Sequence, residues 1–240
     1  MTAMIDIADV SRSYGAGRAR TVALRGVSMA VEAGELVCVM GPSGCGKSTL
    51  LARAGGLEAP DSGSVLIGGL PLGYGARERA LRLQRQVGFV FQELNLLRDL
   101  TALENVALPL ELAGMARRTA RASAEDALDR VGVRDLADAF PADLSGGEQQ
   151  RVAIARGLIG ERRVLLADEP TGALDSLTGE LVMGLIRARC ESGVTAVVAT
   201  HDAGVAAFAD RVVFLRDGRI VDQTLRAESP DAFLADLPKQ

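Results

Sequence analysis

The sequence predicts an α/β fold, built on a mostly parallel sheet and carrying a helical subdomain inserted in mid-chain. Three observations carry that prediction. A glycine-rich loop, Gly41-Pro42-Ser43-Gly44-Cys45-Gly46-Lys47-Ser48, joins an apolar run to a helix-like segment. Two later runs, residues 164–167 and 194–200, are continuously apolar, as strands buried on both faces are. Residues 94–160, by contrast, have mostly helical periodicity.

The elements follow in order. Residues 5–10 and 27–31 alternate apolar and polar, the period of half-buried strands. Residues 35–40 form the apolar strand that ends at the glycine loop, and residues 48–56 read as the helix after it. Within 94–160, breaks are expected at Pro109, Gly114 and Pro141. A helix over 176–190 separates the two later apolar strands. Residues 211–222 read as a terminal hairpin around Asp217-Gly218, and 229–237 as a short closing helix. No repeat or low-complexity linker interrupts the chain. We therefore expect one domain over 1–240, with a core from 1–91 and 161–240 and the helical subdomain at 92–160.

Composition narrows the function. Hydrophobic residues make up 48% of the chain and aromatics only 3%, so the core is aliphatic. The net charge is −4 and no long basic run occurs, which argues against a nucleic-acid partner. No apolar stretch approaches bilayer length, and the first residues lack a basic segment followed by an apolar one. Cys38, Cys45 and Cys190 have neither metal-ligand spacing nor a disulfide pattern. These features together predict a soluble, cytosolic protein.

The cations are almost all arginine. Of the two lysines, Lys239 is near-terminal and Lys47 sits inside the glycine loop, which fits the phosphate-cradling pattern G-x-x-x-x-G-K-[ST]. Lysine is a compact point charge that can lie over phosphate oxygens, whereas guanidinium is a planar fork. The loop's backbone N–H groups and the helix end bind anions, and Ser48 offers a hydroxyl to Mg²⁺. A second motif, Leu165-Leu166-Ala167-Asp168-Glu169, ends an apolar strand in two acids. Asp168 is the candidate Mg²⁺ ligand and Glu169 the candidate general base. A third, Leu144-Ser145-Gly146-Gly147-Glu148-Gln149, places a candidate N-cap, Ser145, before glycines that allow close backbone approach.

In this order the motifs resemble the nucleotide-binding subunit of ATP-binding-cassette (ABC) transporters, over essentially the whole chain. Gly41 to Thr49 resembles the Walker A motif, Asp168-Glu169 the end of Walker B, and Ser145-Gly146-Gly147-Glu148 the family signature. Here Glu148 stands where many members carry Gln. Gln92 matches the Q-loop, Ala173-Leu174-Asp175 the D-loop and His201 the switch histidine. Tyr14 lies where the family stacks an aromatic on adenine. Tyr74, in a Gly-rich turn, is the alternative; Tyr14 could instead be only an edge-strand aromatic, but stacking fits it better.

The resemblance implies a P-loop NTPase core with an N-terminal antiparallel β subdomain. It also implies ATP and Mg²⁺ as ligands, with Ser48, Gln92 and Asp168 around the metal and Glu169 and His201 catalytic. Its partners would be a second copy, in an ATP-dependent homodimer, and an integral membrane permease. The place would be the inner face of the cell membrane.

Residues 91–97, 100–106 and 167–176 look like the lipoprotein-release and macrolide-exporter group. The chain departs from it at Ala173, where many members have Asn, and at Glu161-Arg162-Arg163, where a proline is common. An amino-acid importer and a cell-division cassette that gates a membrane partner share the same chemistry. The expected permease contact is a groove around 92–110, with Leu94, Leu96 and Leu97 either docking residues or subdomain core. Cys45 is either a thiol activated by the helix end or a small residue standing where serine would serve, and the second fits better.

Overall fold

The computed structural model describes residues 3–17, 20–72 and 86–225. Tyr74, Lys239 and the expected closing helix lie outside them.

Strands β1 (Ala3–Tyr14) and β2 (Thr21–Glu32) open the chain and pair antiparallel. Both run well beyond the stretches that alternation marked. Register shifts interrupt the ladder between Ile7 and Val10 and again around Arg12, with Asp9 at φ +51°. Each bulge flips the side-chain period, so the pattern breaks while the pairing continues. Next come β3 (Leu36–Met40), α1 (Lys47–Ala54), β4 (Ser62–Ile67) and β5 (Leu70–Pro71). Four strands make an antiparallel sheet in the order β2-β1-β4-β5, so β1 is interior rather than an edge. Strand β4 carried no sequence signal because Ser62-Gly63-Ser64 is polar and exposed; pairing with β1 makes it a strand.

The second sheet contains β6 (Val87–Val90), β7 (Val164–Asp168), β8 (Thr195–Thr200), β9 (Arg211–Arg216) and β10 (Arg219–Leu225). Its order is β10-β9-β3-β8-β7-β6, parallel throughout except for the terminal β9–β10 hairpin. The hairpin turn takes left-handed backbone at Asp217 (φ +50°) and Gly218 (φ +73°), as a two-residue turn of that sequence requires.

The apolar runs of this sheet divide residue by residue between two cores. Val37, Val39, Val164, Leu166, Val197, Ala199 and Val213 face α1 and the antiparallel sheet. Leu36, Cys38, Leu165, Ala167, Ala196, Val198 and Val212 face the helices on the other side. With both faces buried, no polar residue is left to reveal the period of two.

Those helices are α2 (Ala102–Leu112), α3 (Arg117–Arg130), α4 (Gly146–Leu158), α5 (Ser176–Glu191) and the short α6 (Ala203–Ala206). Two breaks fall near where the sequence placed them: Gly114 (φ +94°) follows the end of α2, and Pro141 opens a 3₁₀ turn. The third is corrected, because Pro109 lies inside α2. A proline forfeits one helical hydrogen bond, but Val106, Ala107 and Leu110 are buried around it and hold the helix together. Residues 94–100, where helical periodicity was read, form an irregular loop before the N-cap Thr101. At the other end of the helical segment, Gly88 of β6 meets Gly157 of α4. A Cβ at Gly88 would run into the Gly157 carbonyl, so this strand and helix approach as only glycine permits.

Candidate functional site

Strands β3, β8, β7 and β6 are neighbours and point the same way, so their carboxyl ends are level. Met40 is opposite Thr200, Asp168 opposite Ala199, and Val90 opposite Ala167. Beyond these ends lie the glycine loop, His201, the Asp168-Glu169 pair and Gln92 respectively. Open parallel sheets bind ligands at this edge.

The loop turns into α1 through Gly46, whose φ of +111° suits only glycine and whose Cβ would strike the Ala23 carbonyl. No side chain caps α1, so the donors of its first turn are not committed to protein groups at that end. The Lys47 ammonium lies over the loop, donating to the carbonyls of Gly41 (2.8 Å) and Pro42 (3.3 Å). The C-terminal hairpin braces the loop from behind: Gly218 N–H donates to the Cys45 carbonyl (3.0 Å), and Arg25 N–H to the Gly218 carbonyl (2.8 Å). Nothing in the local sequence announces this brace. Cys45 itself is buried, and burial pushes its thiol up rather than down. That fits a small packing residue better than an activated thiol.

Asp168 ends β7 almost fully buried. Burial raises its carboxyl above the ordinary value, opposed by a hydrogen bond from the Ser48 hydroxyl, and Glu169 adds a further raising influence. Glu169 adopts φ +47°, a conformation non-glycine residues rarely take, and it redirects the side chain away from the strand direction. Both carboxylate oxygens are then held. Thr200 Oγ1 donates to Oε2 (3.0 Å), and His201 Nδ1 lies 2.8 Å from Oε1. The His201 side chain is 74% exposed while that of Glu169 is 16% exposed, so the imidazole stands at the rim and the carboxylate beneath it. Thr200 was not singled out from sequence. Its position one residue before the histidine, at the end of the strand next to β7, was the available signal.

Ser145 caps α4 as expected, and Glu148 completes the cap. The Ser145 hydroxyl accepts from Glu148 N–H (3.4 Å) while the Glu148 carboxylate accepts from Ser145 N–H (2.7 Å), a reciprocal capping box. Hydrogen bonding of the Glu148 carboxylate to Ser145, to its hydroxyl first and its backbone N–H second, holds that carboxyl below its ordinary value. A Cβ on Gly147 would sit 3.3 Å from the Ala173 carbonyl, and one on Gly146 3.9 Å from the Ala173 Cβ. The signature therefore packs on the D-loop of its own chain. Asp175 caps α5, accepting from Thr178 N–H (3.0 Å), and its carboxyl is lowered by that bond. No hydrogen bond or ion pair among the described residues joins Ser145, Gly146, Gly147 or Glu148 to the glycine loop.

Gln92 is exposed just past β6. The loop after it is pinned by Arg156 of α4, which donates to the carbonyls of Leu94 and Asn95 (2.7 Å to the latter); both residues have positive φ. Leu96 packs on the core, whereas Leu97 is 48% exposed. Of this trio, Leu96 therefore belongs to the core and Leu97 does not. Glu93, Leu94, Asn95, Leu96, Pro141 and Gln149 line a cavity of about 560 Å³ there.

At the strand ends an uncapped helix, a lysine-covered glycine loop and a carboxylate pair come together, and they define a nucleoside-triphosphate-hydrolysing cassette. Over residues 24–172 the chain matches the family described as ABC transporter, and it belongs to that family. It is 43% identical over 222 residues to the macrolide export ATP-binding/permease protein MacB of Salmonella typhimurium (strain LT2), across 92% of this chain and 34% of that protein. It is 42% identical over 233 residues to MacB of Escherichia coli O6:K15:H31, across 97% and 36%. The chain thus spans about a third of the length of the curated relatives it matches. Among solved structures, the dimeric post-hydrolysis state of the ATP-binding cassette MJ0796 bound to ADP and Pi superposes with a TM-score of 0.89. It is 40% identical and is covered over 94% of this chain and 100% of that one. The cbiO1 cassette of Clostridium perfringens gives a TM-score of 0.81 at 30% identity, over 98% and 92%. The expected α/β cassette fold, and with it ATP binding and hydrolysis, are therefore established for this chain.

Proposed function

We propose that this cassette powers an exporter-type ABC transporter by pairing with a second copy around ATP and acting on a membrane permease at the inner face of the membrane. The observation that carries the chemistry is the level row of strand ends bearing Lys47, Asp168-Glu169, His201 and Gln92. The likeness to MacB relatives supports export. No helix among the described residues is long and apolar enough to cross a membrane, so the permease is supplied from outside them.

In this reading the N–H groups of Gly44 to Thr49 and the α1 end take the phosphates, with Lys47 supplying the cation. Glu169 takes a proton from the attacking water; Thr200 and His201 fix the direction of its lone pairs. His201, exposed at the rim, meets the terminal phosphate in this reading. Ser145, Gly146 and Gly147 meet the nucleotide bound to the partner copy, with Asp175 shaping the junction. The acidic pair and the Ser48 hydroxyl fit Mg²⁺, which takes hard oxygen ligands and shares them with substrate phosphates. Bound there through Ser48, Asp168 and Gln92, Mg²⁺ would neutralise charge on the phosphates. The cavity beside Gln92, with exposed Leu97 nearby, is the permease contact.

Glu169→Gln tests the centre. It should bind ATP, hydrolyse it about 10²–10⁴-fold more slowly, and run as an ATP-dependent dimer in light scattering. Hydrolysis at the parent rate would remove Glu169 as the base. With the permease in vesicles, ATP-driven efflux supports export; ATPase stimulation without efflux would support mechanical gating instead.

A further inference from the structure

Among the described residues, Arg53 is the largest side chain that is fully buried, at 0% exposure. It lies on α1, about 9 Å of helix rise beyond Lys47 at ~1.5 Å per residue. A buried guanidinium is costly, and an apolar side chain of similar length would pack there without that cost. Its Nε and Nη1 are buried with no hydrogen-bond partner, so the site is not built to satisfy the charge as a whole. What the residue does hold is at Nη2, which donates to the Tyr14 hydroxyl (2.6 Å) and to Glu58 Oε2 (2.7 Å).

Tyr14 is fixed from a second direction. The Arg12 guanidinium lies 4.9 Å from the ring centroid, and it is itself held by Asp61 (2.8 Å) and by the same Glu58 carboxylate (3.4 Å). One ring face is thus covered and the hydroxyl is tied to the helix that carries the phosphate loop, yet Tyr14 remains 39% exposed. The Arg53 guanidinium also lies near the ring, 5.8 Å from its centroid. An aromatic ring with its hydroxyl anchored, a cation against one face and part of its surface in solvent is a platform for a flat partner.

We propose that Arg53 is a positioning residue: through the Tyr14 hydroxyl, and with Arg12 behind the ring, it sets the Tyr14 platform at a fixed offset from the phosphate loop, so that a nucleotide's base and phosphates are gripped from one rigid helix. This rests on the reading of Tyr14 as the base-stacking residue. It assigns to α1 two functions, phosphate binding at its start and orientation of the base platform further along.

The test compares Mg–ATP with inorganic tripolyphosphate, which has no base, by calorimetry on the full chain. Tyr14→Ala should weaken ATP by about 5- to 150-fold, the range a base–aromatic stack supplies, and leave tripolyphosphate unchanged. Arg53→Met and Tyr14→Phe should each weaken ATP by roughly 2- to 10-fold, as loss of one hydrogen bond does, again sparing tripolyphosphate. The double variant should be no worse than either single one, because both break the same link. Arg53→Lys, which keeps a donor, should recover part of the loss. Equal losses for ATP and tripolyphosphate, or additive effects in the double variant, would overturn the proposal. If Arg53→Met does not fold, Tyr14→Phe alone decides, since unchanged ATP affinity there removes the link. Should Tyr14→Ala leave ATP affinity intact, the base-stacking reading itself fails, an outcome distinct from failure of Arg53 alone.

Discussion

Two helices in this protein begin with a serine- and glycine-rich stretch, and they treat their free N–H groups in opposite ways. Helix α1 starts at Gly46 with no side-chain cap, no acid in its first turn and Lys47 at its first position. Helix α4 starts at Ser145 with a full capping box and Glu148 in its first turn. The first end is left as a positive pole with a cation added. The second satisfies two donors, the N–H groups of Ser145 and Glu148, and sets a carboxylate against the pole. Similar composition therefore encodes a ready anion site in one place and a partly closed, acid-guarded helix end in the other.

Experiments can break or sharpen this contrast. The largest effect is expected at Lys47. Lys47→Met removes the charged donor over the loop, worth about 1.5–3 kcal/mol, so ATP affinity should fall by roughly 10- to 150-fold in calorimetry. Loss of less than a few-fold would mean that the backbone pole binds without the cation. Next is Gly46→Ala. Its φ of +111° and the Ala23 carbonyl in the way should cost ~1–3 kcal/mol in chemical denaturation, together with weaker ATP binding. Stability equal to the parent would show that the loop can relax.

At α4, Ser145→Ala should cost about 1 kcal/mol by the same measurement, without changing ATP affinity of the monomer. If monomer affinity falls, the two ends are coupled within one chain. The smallest effect belongs to Glu148→Gln. The Glu148 carboxyl is held below its ordinary 4.5 by Ser145. Its ionised form therefore favours the fold above that value, and the benefit is lost as pH falls through the depressed one. The parent should be slightly more stable than the variant at neutral pH and indistinguishable from it in strong acid, as read by paired melts. A gap that persists in acid would assign the effect to shape rather than charge.

Much of this molecule is legible before folding is considered. The phosphate loop, the acidic strand end, the signature and the switch histidine are contiguous words, and each sits where its local chemistry demands. The strands of the parallel sheet and helices α1 and α5 are equally plain, because burial on both faces or along one stripe leaves a pattern. What failed to show has a physical cause each time. The bulges at Asp9 and Arg12 reset the period of β1, so it looked half its length. Strand β4 begins with polar residues and exists because β1 offers an edge. Pro109 looked like a stop, but the buried side chains around it outweigh one lost hydrogen bond.

The composition and order of motifs alone determined that this is a nucleotide-using α/β cassette, because phosphate recognition needs particular residues within a few positions of one another. Only the tertiary structure decided how the site is held: the turn at Gly218 behind Cys45, the left-handed Glu169 clasped by Thr200 and His201, and buried Arg53 gripping Tyr14. These contacts join residues far apart in the chain, and it is folding, through long-range packing rather than local preference, that sets which distant groups meet.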